Sequence, residues 1–261
     1  MAETAPALPA NRFKRALAEG RTQIGLWTSL GTGLAAEVLG GAGFDWLLID
    51  TEHSPTEVPM ILDQLRTLEA FPATPIVRPA WNDLVLIKRI LDLGVQTLLV
   101  PYVQTAEEAR RAVAATRYPP EGVRGIAATI RANRYGRIKD YHAQANREMC
   151  VLVQLETRRA LSELEAIAAV EGIDGLFIGP SDLAGDLGYL GNNRHPDAVA
   201  VFADACARAK KAGKPIGILA PVEEDARRYL EMGFSYVAVG SDIGVLRNAA
   251  EALRSRFQGK S

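Results

Sequence analysis

A chain of 261 residues with 48% hydrophobic and 23% charged residues has the make-up of an ordinary globular protein, long enough to bury a full core without disulfide support. A formal net charge of −1 and a pI near 6.3 exclude the cationic field needed to hold nucleic acid or an anionic membrane surface. The opening MAETAPALPANRFK lacks the basic-then-apolar order of a secretory signal, and no apolar run reaches the roughly 18 residues of a membrane span, so a cytoplasmic protein without nucleic-acid or membrane partners is expected.

In chain order, short apolar runs alternate with stretches of helical periodicity. A strand at 24–28 precedes a helix at 33–41, and a strand at 46–50 precedes a helix at 56–69. The pattern repeats at 75–78 and 83–93, at 97–101 and 106–116, and at 150–154 and 158–170. It continues at 175–178 and 196–212, at 216–219 and 222–232, and ends at 236–239 and 243–257. The strand runs are almost unbroken Leu, Ile and Val, as expected of parallel strands covered on both faces. Asn82 is the expected cap of one helix, and Gly94, Gly213 and Gly233 follow helices where a left-handed residue is wanted. Eight such pairs predict an α/β chain folded as one (β/α)8 TIM barrel domain over residues 1–261, with an open doubly wound sheet as the competing architecture. Cys150 and Cys206 have no metal-finger spacing and read as small buried apolar residues.

The interval 118–149 breaks the rhythm and predicts a short additional helix at 138–145. Placed after the fourth strand, this insertion is expected over the barrel mouth, where Arg124, Arg131, Arg134 and Arg137 would meet an anionic substrate. A solvated or subunit-contacting basic loop is the competing reading.

In a barrel the chemistry belongs where strands end. The second run ends in Asp50, Thr51, Glu52 and His53, the third in Arg78, the fifth in Gln154 and Glu156, and the sixth in Gly179, Pro180, Ser181 and Asp182. Glu156 and Asp182, at equivalent depths on neighbouring strands, suit a hard divalent cation completed by water and substrate; helix N-capping is the alternative for both. The Gly179–Asp182 segment also offers main-chain N–H groups to a carboxylate. His53 beside Asp50 and Glu52 has the position of a base working near neutral pH. Arg78 ends an apolar strand and needs a partner: an enolate or carboxylate ligand, or a structural ion pair with Asp50. No lysine ends a strand, which disfavours imine chemistry, and the glycines near residue 33 form no dinucleotide fingerprint, so no organic cofactor is expected.

The segments FDWLLIDTEHSP, IVRPAWND, LDLGVQTLLVPYVQ, RYPPEGVRG, CVLVQLET, GLFIGPSDLAGDLGY and YVAVG, in this order, resemble the class II pyruvate aldolases. The likeness is greatest to the 4-hydroxy-2-oxoheptanedioate aldolases, with deoxyglucarate and deoxyrhamnonate aldolases as near relatives. It implies a homohexameric lyase dependent on a divalent metal (Mg²⁺, Mn²⁺ or Co²⁺), which interconverts 4-hydroxy-2-oxo acids with pyruvate and an aldehyde such as succinic semialdehyde. It further implies that Glu156 and Asp182 hold the metal, that His53 is the base and that Arg78 stabilises the enolate. By the same resemblance Asp92 raises the basicity of the histidine, Asp50 lies near it, and Gln154 and Ser181 contact the pyruvate moiety with Asp182. Thr51 and Ser181 depart from the residues usual at their positions, and 127–134 matches poorly. A decarboxylase or acyl-CoA lyase using the same site, and a 2-oxo acid binding barrel without turnover, are the competing functions.

Overall fold

The computed structural model describes residues 6–258. Helix α1 (Arg12–Ala18) precedes β1 (Gln23–Thr28), α2 (Gly33–Gly40), β2 (Trp46–Asp50), α3 (Val58–Leu68), β3 (Thr74–Arg78), α4 (Leu84–Leu91), β4 (Thr97–Val100) and α5 (Ala106–Thr116). A 3-10 turn (Arg131–Asn133) and α6 (Tyr141–Glu148) lead into β5 (Cys150–Leu155), α7 (Arg158–Ser162) and α8 (Leu164–Ala168). Then follow β6 (Gly175–Ile178), α9 (Pro180–Asp186), α10 (Pro196–Lys211), β7 (Ile216–Leu219), α11 (Glu223–Met232), β8 (Tyr236–Ser241) and α12 (Asp242–Ser255). The eight strands are parallel and close in sequential order, β8 pairing with β1, which gives the (β/α)8 barrel and sets aside the open sheet.

The near-continuous apolar strands hide an alternation that the closed sheet resolves. In β2, Trp46 and Leu48 point into the barrel with Ile76, Leu152 and Phe177, whereas Ile49 faces the helices with Val77, Val151 and Val153. Extending the inward parity by two residues puts Asp50, Arg78 and Gln154 at the carboxyl end of the same interior. Wide rings in the interior need gaps opposite them: a Cβ on Gly25 would lie 2.1 Å from Cδ2 of Trp46, so only glycine lets β1 and β2 pair here.

Helix α1 is too short to announce itself by periodicity. Its cap Asn11 accepts from the Lys14 N–H at 3.0 Å and donates to Thr97 Oγ1 at 2.9 Å, while Phe13 and Leu17 plug the amino-terminal end against Trp46 and Tyr236. The cap expected at Asn82 belongs to Asp83, whose carboxylate accepts from the N–H groups of Val85 and Leu86; Asn82 instead donates to the Glu108 carbonyl. The helix expected over 158–170 is broken at Glu163 into α7 and α8.

The 118–149 segment lies on the rim opposite to the one expected. Helix α5 carries the chain back to the amino-terminal side before Tyr118, so the segment is an αβ connection and lies beneath the barrel. Arg131 binds Glu69 at 2.5 Å and also the Leu93 carbonyl, both in αβ connections. Arg124 is fully buried over the Tyr118 ring, 4.4 Å from its centroid, and ion-paired to Asp92 at 3.0 Å. A cavity of about 350 Å³ beside Arg131, Arg134 and Gln96 belongs to this rim as well. The expected helix at 138–145 forms three residues later, as α6.

Candidate active site

At the carboxyl rim, Asp50 and Arg78 are register partners at the ends of β2 and β3. Adjacent ends with the same parity produce a bidentate pair: Arg78 Nε donates to Asp50 Oδ1 at 2.9 Å and Nη2 to Oδ2 at 2.8 Å. Nη1 lies 2.8 Å from Glu52 Oε2, and the guanidinium sits 5.3 Å from the Trp27 ring centroid. Burial pulls the Arg78 pKa down, but the hydrogen bonds and charge of Asp50, with the charges of Glu52 and Glu156, outweigh it and the net direction is up. Arg78 therefore keeps its charge, and its fork of five donors leaves N–H groups beyond those that engage Asp50 and Glu52. The ion pair expected as an alternative is present and leaves donors for a ligand.

Glu52, unassigned from the sequence beyond its place beside His53, joins the parts of the site. Its Oε2 is buried without a hydrogen-bond partner, because the Arg78 contact is an ion pair out of hydrogen-bond line, and it is 3.9 Å from His53 Nε2. Burial raises the Glu52 pKa; Arg78 and His53 oppose this, and Asp50 and Asp182 add to it. The spacing Asp50-x-Glu52 was the available signal, since residues two apart keep the same side where the strand conformation continues.

Glu156, at the end of β5, is 3% exposed and accepts the Tyr102 main-chain N–H at 2.8 Å. Burial pushes its carboxyl up to about 7; the Tyr102 N–H opposes the shift, and the charges of Glu52 and Asp182 reinforce it. Gly179 lies against this group: an added Cβ would be 2.9 Å from both Glu156 Oε2 and Gln154 Nε2. Gln154 Oε1 is buried and has no partner among the described residues. Asp182 and Ser181, in the first turn of α9, are exposed at the rim. His53 is exposed as well, its side chain 66% accessible.

The structure thus brings Asp50, Glu52, Arg78, Gln154, Glu156 and Asp182 to one rim, with His53 at the edge. It does not bring Asp92 there. Asp92 ends α4, before β4, so its carboxylate is on the amino-terminal side with Arg124, and within one chain it does not reach His53. Tyr102, the β4 contribution to the site, gave no sequence signal, because the contact is made by its main chain.

Glu52 and Glu156, both raised and both within the charge of Asp182, belong to a donor set that a hard cation would relieve. Among the described residues no three His, Cys, Asp or Glu side chains converge to close a coordination sphere unaided. The residues fit a divalent cation held by Glu156 and Asp182, with further oxygens from water or a ligand.

The fold and this polar rim define a (β/α)8 barrel with an acidic site at the carboxyl ends of its strands. The chain belongs to the HpcH/HpaI aldolase/citrate lyase family, whose model matches residues 23–249, and is accordingly a carbon–carbon lyase of the aldolase type. It is 56% identical over 250 residues to a pyruvate aldolase of Rhizobium etli, covering 96% of this chain and 98% of that one. It is 55% identical over 248 residues to a 4-hydroxy-2-oxo-heptane-1,7-dioate aldolase of Shigella sonnei, covering 95% of each. A solved HpcH/HpaI aldolase/citrate lyase family protein from Burkholderia cenocepacia superposes with a TM-score of 0.92 at 41% identity, covering 95% of this chain and all of the other. Among the described residues no helix is long and apolar enough to cross a membrane.

Proposed function

We propose that the protein catalyses reversible aldol cleavage of 4-hydroxy-2-oxo acids, releasing pyruvate and an aldehyde such as succinic semialdehyde. The observation that carries this reading is the buried Glu156 carboxyl, raised to about 7 beside Glu52 and Asp182 and within the charge of Arg78, at the catalytic rim of an aldolase-family barrel. Relatives named for a pyruvate aldolase and a 4-hydroxy-2-oxo acid aldolase support the substrate class.

Glu156 and Asp182 would hold a divalent cation, Mg²⁺, Mn²⁺ or Co²⁺, which when bound supplies Lewis-acid charge to a 2-oxo acid. His53 takes the proton of the C4 hydroxyl. The C3–C4 bond breaks, its electron pair passing to the pyruvate fragment while C4 becomes the aldehyde carbon. Arg78, fixed by Asp50, faces the negative charge that develops on the enolate oxygen. His53 returns the proton it has taken to C3, which yields pyruvate; in the reverse direction it removes a methyl proton from pyruvate, and the enolate adds to an aldehyde. Gln154 and Ser181 orient the pyruvate moiety, whose carboxylate and keto oxygens accept from the Gln154 amide N–H and the Ser181 hydroxyl.

The test is exchange of pyruvate methyl protons into D2O followed by NMR. Exchange that requires added Mg²⁺, Mn²⁺ or Co²⁺ and falls on the order of 10²-fold in His53→Ala is expected; folded protein inactive with all three metals would refute the reading.

We also take the functional form to be a homohexamer. In α12 only Asp242 is buried, leaving Ile243, Val245, Leu246 and Leu253 exposed, and Leu34 and Val38 of α2 are exposed as well. Apolar area of this extent is normally covered by a partner. Light scattering reporting a monomer would refute it.

A further inference from the structure

Glu156 is a buried carboxylate held on one oxygen by a main-chain donor from the neighbouring strand's loop. The loop after β4 runs Pro101, Tyr102, Val103, Gln104. Val103 is fully buried in the outer core, and its N–H donates to the Gln154 carbonyl at 3.2 Å, continuing the pairing of β4 with β5. One residue earlier, the Tyr102 N–H leaves that ladder and donates to Glu156 Oε1 at 2.8 Å. Tyr102 makes this contact at φ 55°, a left-handed conformation uncommon for a residue with a side chain.

Something must hold a tyrosine in that conformation. Its ring stacks on Trp81, from the loop after β3, with centroids 5.5 Å apart and planes at 28°. Two loops are thereby joined over the rim. Trp81 is 50% and Tyr102 39% exposed, so the stack is not a piece of core that happens to lie nearby. On the far side the loop is tied down through Gln104, whose N–H donates to Glu108 and whose Oε1 accepts from Thr157 Oγ1 at 3.1 Å. Thr157 follows Glu156 directly, so the β4 loop grips the Glu156 segment from both sides.

We infer that Tyr102 is a positioning residue for Glu156: its left-handed main chain, braced by the Trp81 ring, holds one carboxylate oxygen and leaves the other for the cation. Neither aromatic side chain touches the reacting atoms; both act through the Tyr102 amide. The inference rests on the reading of Glu156 as a cation ligand.

Isothermal titration of Mn²⁺ into the apoprotein, without substrate, tests it. Tyr102→Val places a β-branched residue where left-handed φ is most costly and should weaken Mn²⁺ binding on the order of tenfold or more, the size of effect seen when support of a ligand is lost. Tyr102→Asn, which tolerates this conformation but lacks the ring, should lose less. Trp81→Ala should weaken binding, and Trp81→Phe, which retains a stacking ring, should restore most of it. Thermal melts establish that each variant is folded; should Tyr102→Val not fold, the Trp81 pair decides alone. Folded variants that bind Mn²⁺ as tightly as the parent would overturn the positioning role and leave the proposed function standing. A parent chain that binds no Mn²⁺ would overturn the cation site itself, and the positioning role with it.

Discussion

Glu156→Gln should make the metal-free protein more stable while abolishing its chemistry. The folded chain holds this carboxyl at about 7 against an ordinary value of 4.5, chiefly because it is buried and then because Glu52 and Asp182 lie close. The sign follows from which state binds the proton more tightly. A carboxyl raised by folding is protonated more readily in the native than in the unfolded chain, so stability falls as pH rises from about 4.5 through 7. Above that window the cost is on the order of 3 kcal/mol, from the spacing of the two values at 1.36 kcal/mol per unit. Gln keeps an oxygen to accept the Tyr102 N–H and carries no charge. In EDTA at pH 8, thermal melts followed by circular dichroism should place the variant roughly 5–10 °C above the parent. At pH 5 the difference should shrink to under about 1 kcal/mol, because the parent carboxyl is then protonated in the fold. Added Mn²⁺ should raise the parent selectively, since a ligand that binds only the native state stabilises it. An identical shift at both pH values, or a variant less stable than the parent at pH 8, would refute the argument that this carboxylate is strained.

Other substitutions separate architecture from chemistry. Gly179→Ala drives a Cβ to 2.9 Å from Glu156 Oε2 and Gln154 Nε2, so methyl-proton exchange should fall at least tenfold with the circular dichroism spectrum unchanged; near-parental exchange would show that these side chains can shift freely. Arg78→Met leaves Asp50 and Glu52 buried beside each other without their cation, which should cost about 3–5 kcal/mol in denaturant titrations and about 10²–10³ in turnover. His53→Ala removes a side chain that is 66% exposed, so its denaturation midpoint should stay within about 0.5 kcal/mol of the parent while exchange drops on the order of 10²-fold. A large loss of stability in His53→Ala would mean that the histidine is structural.

The sequence by itself determined the barrel and most of its rim. Eight nearly unbroken apolar runs alternating with helical segments admit few packings, and β2, β6 and β7 occupy the ranges read from those runs. In any such barrel the residues that follow the runs lie at the carboxyl ends, so Asp50, His53, Arg78, Gln154, Glu156 and Asp182 were legible as one group before any coordinates. Tertiary structure decided what depends on direction or on the main chain. Unbroken apolar strands conceal which parity faces inward, so the bidentate geometry of Asp50 with Arg78 and the linking place of Glu52 emerged only with the register. The 118–149 segment was legible as an insertion, but its rim is set by α5, which returns the chain to the amino-terminal side before the segment begins. Asp92 is a carboxylate of the expected kind on the opposite rim of the chain, paired with a buried arginine. Tyr102 was invisible because side-chain identity does not encode an amide donor: its role comes from φ 55° and from the Trp81 ring that holds it there.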